Sequence, residues 1–382
     1  MKKLIALSMA FVLALSLGAC GGTGNNQNQP TSTPSGSTSA PDESNSTVSG
    51  GDVTIGVSMP TKSLQRWNQD GGNMKDKLEK AGYKVNLEYA GDNDIPTQVN
   101  QIENMISKGC KVLVIAAIDG SSLTEVLKQA KEQNISVIAY DRLIMNSDAV
   151  SYYATFDNFK VGVMQGEFIE EKLDLKNNKG PFNIEIFAGD PADNNAKFFY
   201  DGAMSVLNPY IESGVLVVPS KQTSQAQVST ADWKTENAQA RMENLITSNG
   251  YSPKGKKLDA VCCSNDSTAM GVTNALVSAG YTKEDMPIIT GQDCDKPNVK
   301  NMLKGLQSMS VFKDTRTLAD KVVGMVDAIV KGSEPDDIND RDTYNNGVKN
   351  VPSYLCAPVA GTAENYKELL IESGYYTEED IQ

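Results

Sequence analysis

Histidine is absent from all 382 residues. That excludes a Ser/His/Asp triad, a Cys/His dyad and any histidine metal site. A carboxylate-only enzyme, such as a glycosidase, stays formally open, since two acids suffice. Basic residues are also scarce: 35 Lys and Arg stand against 48 Asp and Glu, for a net charge of −13. Such a chain repels phosphate backbones, so a nucleic-acid partner is not expected. No apolar run after Leu17 is long enough for a membrane helix. Cysteine is sparse, and Cys110, Cys262, Cys263, Cys294 and Cys356 form an odd set after Cys20, without the pair spacing of a metal site. They read as small apolar core residues. Cys262 and Cys263 adjoin in an expected strand and should point to opposite faces. A Gly-x-Gly-x-x-Gly turn is missing after the first expected strand, where Gly56-Val57-Ser58-Met59-Pro60 stands, so a dinucleotide site is not expected.

What is present begins with an export signal. Lys2-Lys3, an apolar run from Leu4 to Leu17 and then Gly18-Ala19-Cys20 form a basic start, a core too short to span a bilayer comfortably, and small residues before a cysteine. The expectation is a signal peptide over 1–19, cleaved so that Cys20 becomes an acylated first residue. Residues 20–51 are nearly all Gly, Asn, Gln, Ser, Thr and Pro, the composition of a disordered tether. About 330 residues remain, too many for one ordinary core and suited to two lobes.

Past Gly51 short β-rich runs alternate with amphipathic segments, the α/β pattern. Residues 53–57, 85–89, 112–116 and 137–140 read as strands. The third is the near-continuous apolar run of a strand buried on both faces. Trp67, Met74, Leu78 and Ala81 follow helical spacing, as do Ile95, Val99, Ile102, Met105 and Ile106, and then Leu123, Val126, Leu127 and Ala130. Ser122 with Glu125 predicts a capping box for the last of these. The pattern restarts with strands near 184–187, 216–218, 258–263, 288–290 and 309–312. Helices are expected near 160–173, 195–206, 232–246, 265–279 and 296–304. The fold class is therefore α/β, with two similar Rossmann-like lobes of parallel strands.

Parallel α/β sheets bind ligands beyond the carboxyl ends of their strands. The residues following each expected strand are polar: Gln65-Arg66-Trp67, Asp141-Arg142, Asp193-Asn194-Asn195, Asn265-Asp266, Gln292-Asp293 and Lys313. Trp233 follows Asp232, a candidate N-cap. Taken one at a time, an Asp or Asn before a helix is a cap, a Trp at helical spacing is core, and a terminal Arg or Lys is solvated. Together they all fall at one end of their strands. Each hydroxyl of a polyhydroxylated ring both donates and accepts, which suits mixed Asp, Asn, Arg and Lys. Tryptophans can pack on the ring's C–H face. The cations Arg66, Arg142 and Lys313 are offset by Asp141, Asp193 and Asp293, which favours an uncharged ligand. A phosphate would want Gly-rich amides or clustered cations instead.

Residues 52 to 360 resemble the periplasmic xylose-binding and multiple-monosaccharide-binding proteins, type I sugar-binding proteins of ABC importers. The resemblance lies in Leu64-Gln65-Arg66-Trp67, Gln101-Ile102-Glu103-Asn104-Met105-Ile106, Ala139-Tyr140-Asp141-Arg142, Phe156-Asp157-Asn158 and Asp193-Asn194-Asn195-Ala196-Lys197. It continues in Ser264-Asn265-Asp266, Gly291-Gln292-Asp293, Val311-Phe312-Lys313 and Asn345-Asn346-Gly347. It implies sugar contacts from Arg66, Trp67, Asp141, Arg142, Asp193, Asn195, Trp233, Asn265, Asp293 and Lys313. The segment 222–235 around Trp233 is richer in Ser, Thr and Gln than the family pattern.

The resemblance also implies a three-crossover hinge near Asp157, Lys313 and Asn346. The first lobe would be 52–157 plus 314–346 and the second 158–313 plus 347–382. The partners implied are a neutral aldopentose or aldohexose and a membrane ABC permease, with a chemoreceptor or sensor kinase as the alternative receiver. A monomer is expected, with no cofactor and no metal, since the acids Asp336, Asp337, Asp340 and Asp342 lack the glycine and spacing of a calcium loop. A sugar-responsive repressor of this fold would need a basic helix-turn-helix before residue 52, where the lipobox and tether stand instead. Cys294, beside Asp293, is expected to be open to alkylation that weakens binding.

Overall fold

A computed structural model describes residues 52–382. Five strands come first: β1 (Thr54–Met59), β2 (Lys84–Tyr89), β3 (Val112–Ile115), β4 (Ser136–Tyr140) and β5 (Val150–Phe156). The next five are β6 (Phe182–Phe187), β7 (Leu216–Val217), β8 (Ala260–Cys263), β9 (Ile288–Ile289) and β10 (Ser310–Phe312). Two more, β11 (Ser353–Cys356) and β12 (Val359–Gly361), lie near the C-terminus. The first lobe holds a parallel sheet in the order β11-β5-β4-β3-β1-β2, and the second a parallel sheet in the order β7-β6-β8-β9. β10 joins β12 in an antiparallel pair and bridges to Gln292, just past β9.

The strands of the first sheet bury both faces because their apolar residues are continuous. Val112 and Val114 pack with Ile55, Val57 and Met59 on one side, while Leu113 and Ile115 pack with Val137 and Ala139 on the other. The second lobe repeats the arrangement. Val261 and Cys263 enter one core, Ala260 and Cys262 the opposite one, so the adjacent cysteines do point apart.

Several helices begin where a side chain satisfies a free amide. Asp94 accepts from Thr97 N at 3.1 Å and Asp157 from Lys160 N at 2.9 Å. The third helix departs from expectation. It runs Thr124–Glu132 after Leu123, with no side-chain cap, so Ser122 and Glu125 form no capping box. The helix expected from residue 232 starts at Thr235, with Lys234 at its N-cap. Asp232 instead sits in the short turn Ala231–Trp233 at φ 58°, and caps nothing.

The chain leaves the first lobe after Phe156 and re-enters it at Asp314, whose side chain caps the helix Thr315–Val330 through Arg316 N at 2.9 Å. That helix packs its Leu318, Val322 and Met325 into the first lobe's core. The third crossing lies later than the expected Asn346. β11 pairs in register with β5, from Ser353 on Tyr153 to Cys356 on Phe156, so 347–356 belongs to the first lobe. Asn346 is buried there, donating to Ile144 O and Ser147 O. The first and third crossings thus run side by side, with Asp157 N donating to Cys356 O at 3.0 Å.

In the second lobe the helices Asn158–Lys172 and Asn195–Glu212 touch backbone to backbone. A Cβ on Gly162 would lie 2.0 Å from Phe199 O, and one on Gly202 2.1 Å from Phe159 O. This contact sets the height of Asn195 and Phe199 above the sheet. Gly202→Ala should lower unfolding free energy by about 1–3 kcal/mol through overpacking. Gly324→Ala, at an open position of the helix Thr315–Val330, should instead raise it by about 0.5–1 kcal/mol. Urea titrations of the two variants check both signs.

Candidate functional site

All ten residues implied as sugar contacts line one cleft between the lobes, with about 440 Å³ of empty space that is partly open to solvent. Arg66 and Trp67 open the helix Gln65–Lys80 just beyond β1, and Asp141 and Arg142 follow β4. The second lobe contributes Asp193 and Asn195 after β6, Trp233 from its turn, Asn265 after β8, Asp293 after β9 and Lys313 after β10. Gln292, named in the strand-end set but not among the implied sugar contacts, also lines the cleft, as do Leu64, Phe199, Ser267 and Asp295, which were not expected to. Phe199 lies one helical turn from Asn195, a spacing that could have found it, whereas Asp295 is the N-cap of the helix Lys296–Leu303 and carries no such signal.

Arg66 is the node of the electrostatics. Its Nε lies 2.9 Å from Asp70 Oδ2, its Nη2 2.5 Å from Asp141 Oδ1, and its Nη1 reaches across the cleft to Asp293 Oδ1 at 3.3 Å. Lys313 Nζ reaches the same Asp293 oxygen at 3.0 Å. Tyr140 donates its hydroxyl to Asp70, behind Arg66. Arg142 is held from below, Nη1 donating to Ala117 O at 3.0 Å and to Ile118 O at 3.2 Å. Both guanidinium groups stack on Trp67, at 5.2 and 5.0 Å from its ring. Arg142 Nε lies 3.0 Å from Asp193 Oδ2 but off the direction of its N–H, which makes the contact an ion pair without a hydrogen bond.

The backbone is bent to aim these groups. Asp141, Trp233, Asp293 and Cys294 all have positive φ, a conformation that costs a side-chain-bearing residue about 1–3 kcal/mol. The Asp141 carbonyl is locked by Thr155 Oγ1 at 2.9 Å, Tyr153 Oη at 2.6 Å and Asn195 Nδ2 at 2.6 Å, the last from the opposite lobe. The outer edge of the Trp233 indole abuts Gly189, where a Cβ would fall 1.8 Å from Cη2. Asn265 is both a cap and a lining residue: its Oδ1 accepts from Thr268 N at 3.0 Å, and its Nδ2 donates to Ser267 Oγ at 2.8 Å.

Burial and neighbours pull the carboxyls apart. Burial works against the Asp141 carboxylate, but Arg66, Lys313 and Arg142 outweigh it and hold the pKa below the usual range. For Asp193 burial wins over Arg142 and the pKa rises. Asp295 rises too, from burial and from the adjacent Asp293 charge. Three cations therefore face four carboxyls, of which Asp295 is held toward its neutral form, and the cleft is close to neutral. Cys294 is fully buried and donates to Ser310 O at 3.4 Å, and burial pushes its thiol pKa well up. It is not a site for alkylation, contrary to the expectation from its neighbour.

Nine buried side-chain polar atoms among the described residues make no hydrogen bond, and four of them belong to residues that line this cleft: Arg142 Nε, Trp233 Nε1, Gln292 Oε1 and Asp295 Oδ1. Unpaired buried donors and acceptors cost about 1–3 kcal/mol each. Their gathering in one place marks a surface built to hydrogen-bond something polar.

The comparisons agree with this architecture. Residues 55–334 match the model of the periplasmic binding protein domain. The multiple sugar-binding periplasmic protein SbpA of Azospirillum brasilense is 52% identical over 87% of this chain and 92% of its own length. The D-xylose-binding periplasmic protein of Escherichia coli is 37% identical over 86% of this chain and 93% of its own. A solved ABC transporter solute-binding protein from Clostridium phytofermentans, with bound β-D-glucose, is 65% identical with a TM-score of 0.83, covering 86% of this chain and 100% of that one. A two-lobed binding protein with a polar interlobe cleft is thus the class that fold and site define. The chain belongs to the family of type I sugar-binding periplasmic proteins.

The raised Asp295 pKa has a consequence for stability. A carboxyl whose folded pKa lies above its unfolded value takes up a proton on folding, so its contribution is full below the unfolded pKa near 4 and is lost as pH rises toward the folded pKa of about 7. Asp295→Asn should therefore flatten the fall in unfolding free energy between pH 4 and 7 relative to wild type. Guanidinium titrations at five pH values across that window test it, and parallel curves for the two proteins would refute the assignment.

Proposed function

We propose that this protein captures a neutral aldopentose or aldohexose pyranose between its lobes and delivers it to an ABC permease, while acylated Cys20 holds it at the outer face of the cell membrane. The observation that carries the reading is the near-neutral cleft whose side chains come from both lobes and whose unpaired donors and acceptors are mixed. A sugar hydroxyl both donates and accepts, so it can satisfy Trp233 Nε1 and Gln292 Oε1 alike. Trp67, Trp233 and Phe199 offer apolar faces to the ring's C–H groups. A sugar that touches both lobes binds the closed form better than the open one, and that difference in affinity drives closure. The permease then recognises the closed form. No bond is made or broken in this cycle.

The names of the relatives support the ligand class: several are multiple sugar-binding or xylose-binding proteins, and two similar solved proteins hold glucose. No helix among the described residues is long and apolar enough to cross a membrane. The proposed anchor falls in residues 1–51, outside the described part.

Calorimetry with D-glucose, D-xylose, D-galactose and L-arabinose tests the reading, with saturable binding at micromolar concentration expected for at least one. Asp293→Ala leaves Arg66 and Lys313 without their shared carboxylate and should weaken the best sugar at least about thirtyfold. Affinity within about threefold of wild type would place the site elsewhere.

A further inference from the structure

Beyond the cleft, the last eight residues of the chain reach back to the first helix of the opposite lobe. Tyr376, in the second lobe's C-terminal segment, is 4% exposed and packs with Phe312, Val299 and Leu370. Its hydroxyl is used to capacity. It accepts from Gln65 Nε2 at 2.9 Å and from Gln69 Nε2 at 3.2 Å, and donates to Cys294 O at 3.0 Å. One donor and two lone pairs are all a phenol has. The two glutamines lie one turn apart on the helix Gln65–Lys80, so a single oxygen meets both. Gln65 also accepts from Lys296 N at 3.3 Å through its Oε1, which ties the same side chain to the start of the helix Lys296–Leu303.

The neighbours of these groups are the cleft's own. Gln65 precedes Arg66 and Trp67, and Cys294 follows Asp293. Tyr375 adds a second grip on the first lobe, its hydroxyl 3.2 Å from Thr315 Oγ1 and 3.4 Å from Gln69 Oε1. Its ring packs edge-on against Phe312 at 4.7 Å and under the Arg316 guanidinium at 4.9 Å. Lys296 reaches Asp380 and lies over the Tyr376 ring, so the segment is itself braced.

We propose that Tyr376 is a positioning residue for the sugar site: its hydroxyl links the backbone beside Asp293 to the helix turn beside Arg66, sets the cross-cleft spacing of that ion pair, and slows reopening of the closed form. The inference rests on the sugar-binding reading above. On this reading the Tyr376 bonds to Gln65 and Gln69 break when the lobes part, so they should govern dissociation more than association.

The test is stopped-flow tryptophan fluorescence of the full chain with D-glucose. Tyr376→Phe keeps the ring and its packing and removes only the oxygen. It should speed dissociation about five- to twentyfold with association changed less than twofold. Gln65→Met, made in the opposite lobe and away from the Tyr376 core, should show the same pattern. The double variant should lose less than the product of the two single effects, because the Gln65–Tyr376 bond is common to both. Dissociation rates within twofold of wild type in both single variants overturn the proposal. So does a Tyr376→Phe protein that is less stable without sugar yet releases it at the wild-type rate, since that is core packing alone. A wild-type protein that binds no monosaccharide overturns the function and this inference together, whereas binding by wild type with unchanged variants overturns only the inference.

Discussion

The cross-cleft pairing of Arg66 with Asp293 is the interaction on which the rest of this structure depends. Arg66 is planar, always charged and able to form several directed hydrogen bonds at once, and it is placed among carboxylates from both lobes. Buried ion pairs are poor sources of net stability, because desolvation consumes most of their attraction. Their value lies in geometry. With Asp70 and Tyr140 fixing it from behind, Arg66 presents one face to a ligand and one nitrogen to the other lobe. Lys313 shares Asp293, so the charge remains balanced from the second lobe's side.

That balance constrains the chemistry. An anionic ligand would meet Asp141, Asp193 and Asp293, and a cationic one Arg66, Arg142 and Lys313. A neutral polyol perturbs neither set and can bridge members of both. The parallel sheets make the arrangement possible, since each delivers its strand ends to one edge and the edges face each other. The cost appears as backbone strain at Asp141, Trp233, Asp293 and Cys294, four residues in three turns held in conformations that side chains resist.

Most of the fold was legible because its core strands are apolar without interruption. Val112–Ile115 and Ala260–Cys263 announce burial on both faces. β5 was not legible, for a functional reason: its Tyr153 and Thr155 break the apolar run, and their hydroxyls are spent on the Asp141 carbonyl. β11 is four residues long and pairs with a strand some two hundred positions earlier, so no local pattern could reveal it or place 347–356 in the first lobe. The site residues were legible by their position after strands and by family resemblance. Trp233 arrives by a left-handed turn that capping rules do not anticipate, and it still reaches the cleft. Asp295 was missed because nothing local separates it from a solvated helix N-cap. Tyr376 lies more than three hundred residues from Gln65, beyond any periodicity.

The central claim is that the ligand holds two lobes together across a charge-balanced cleft, and small-angle X-ray scattering of residues 52–382 tests it most directly. Saturating D-glucose should reduce the radius of gyration, and Arg66→Ala should abolish the change. A radius that stays constant while calorimetry reports glucose bound would contradict the account.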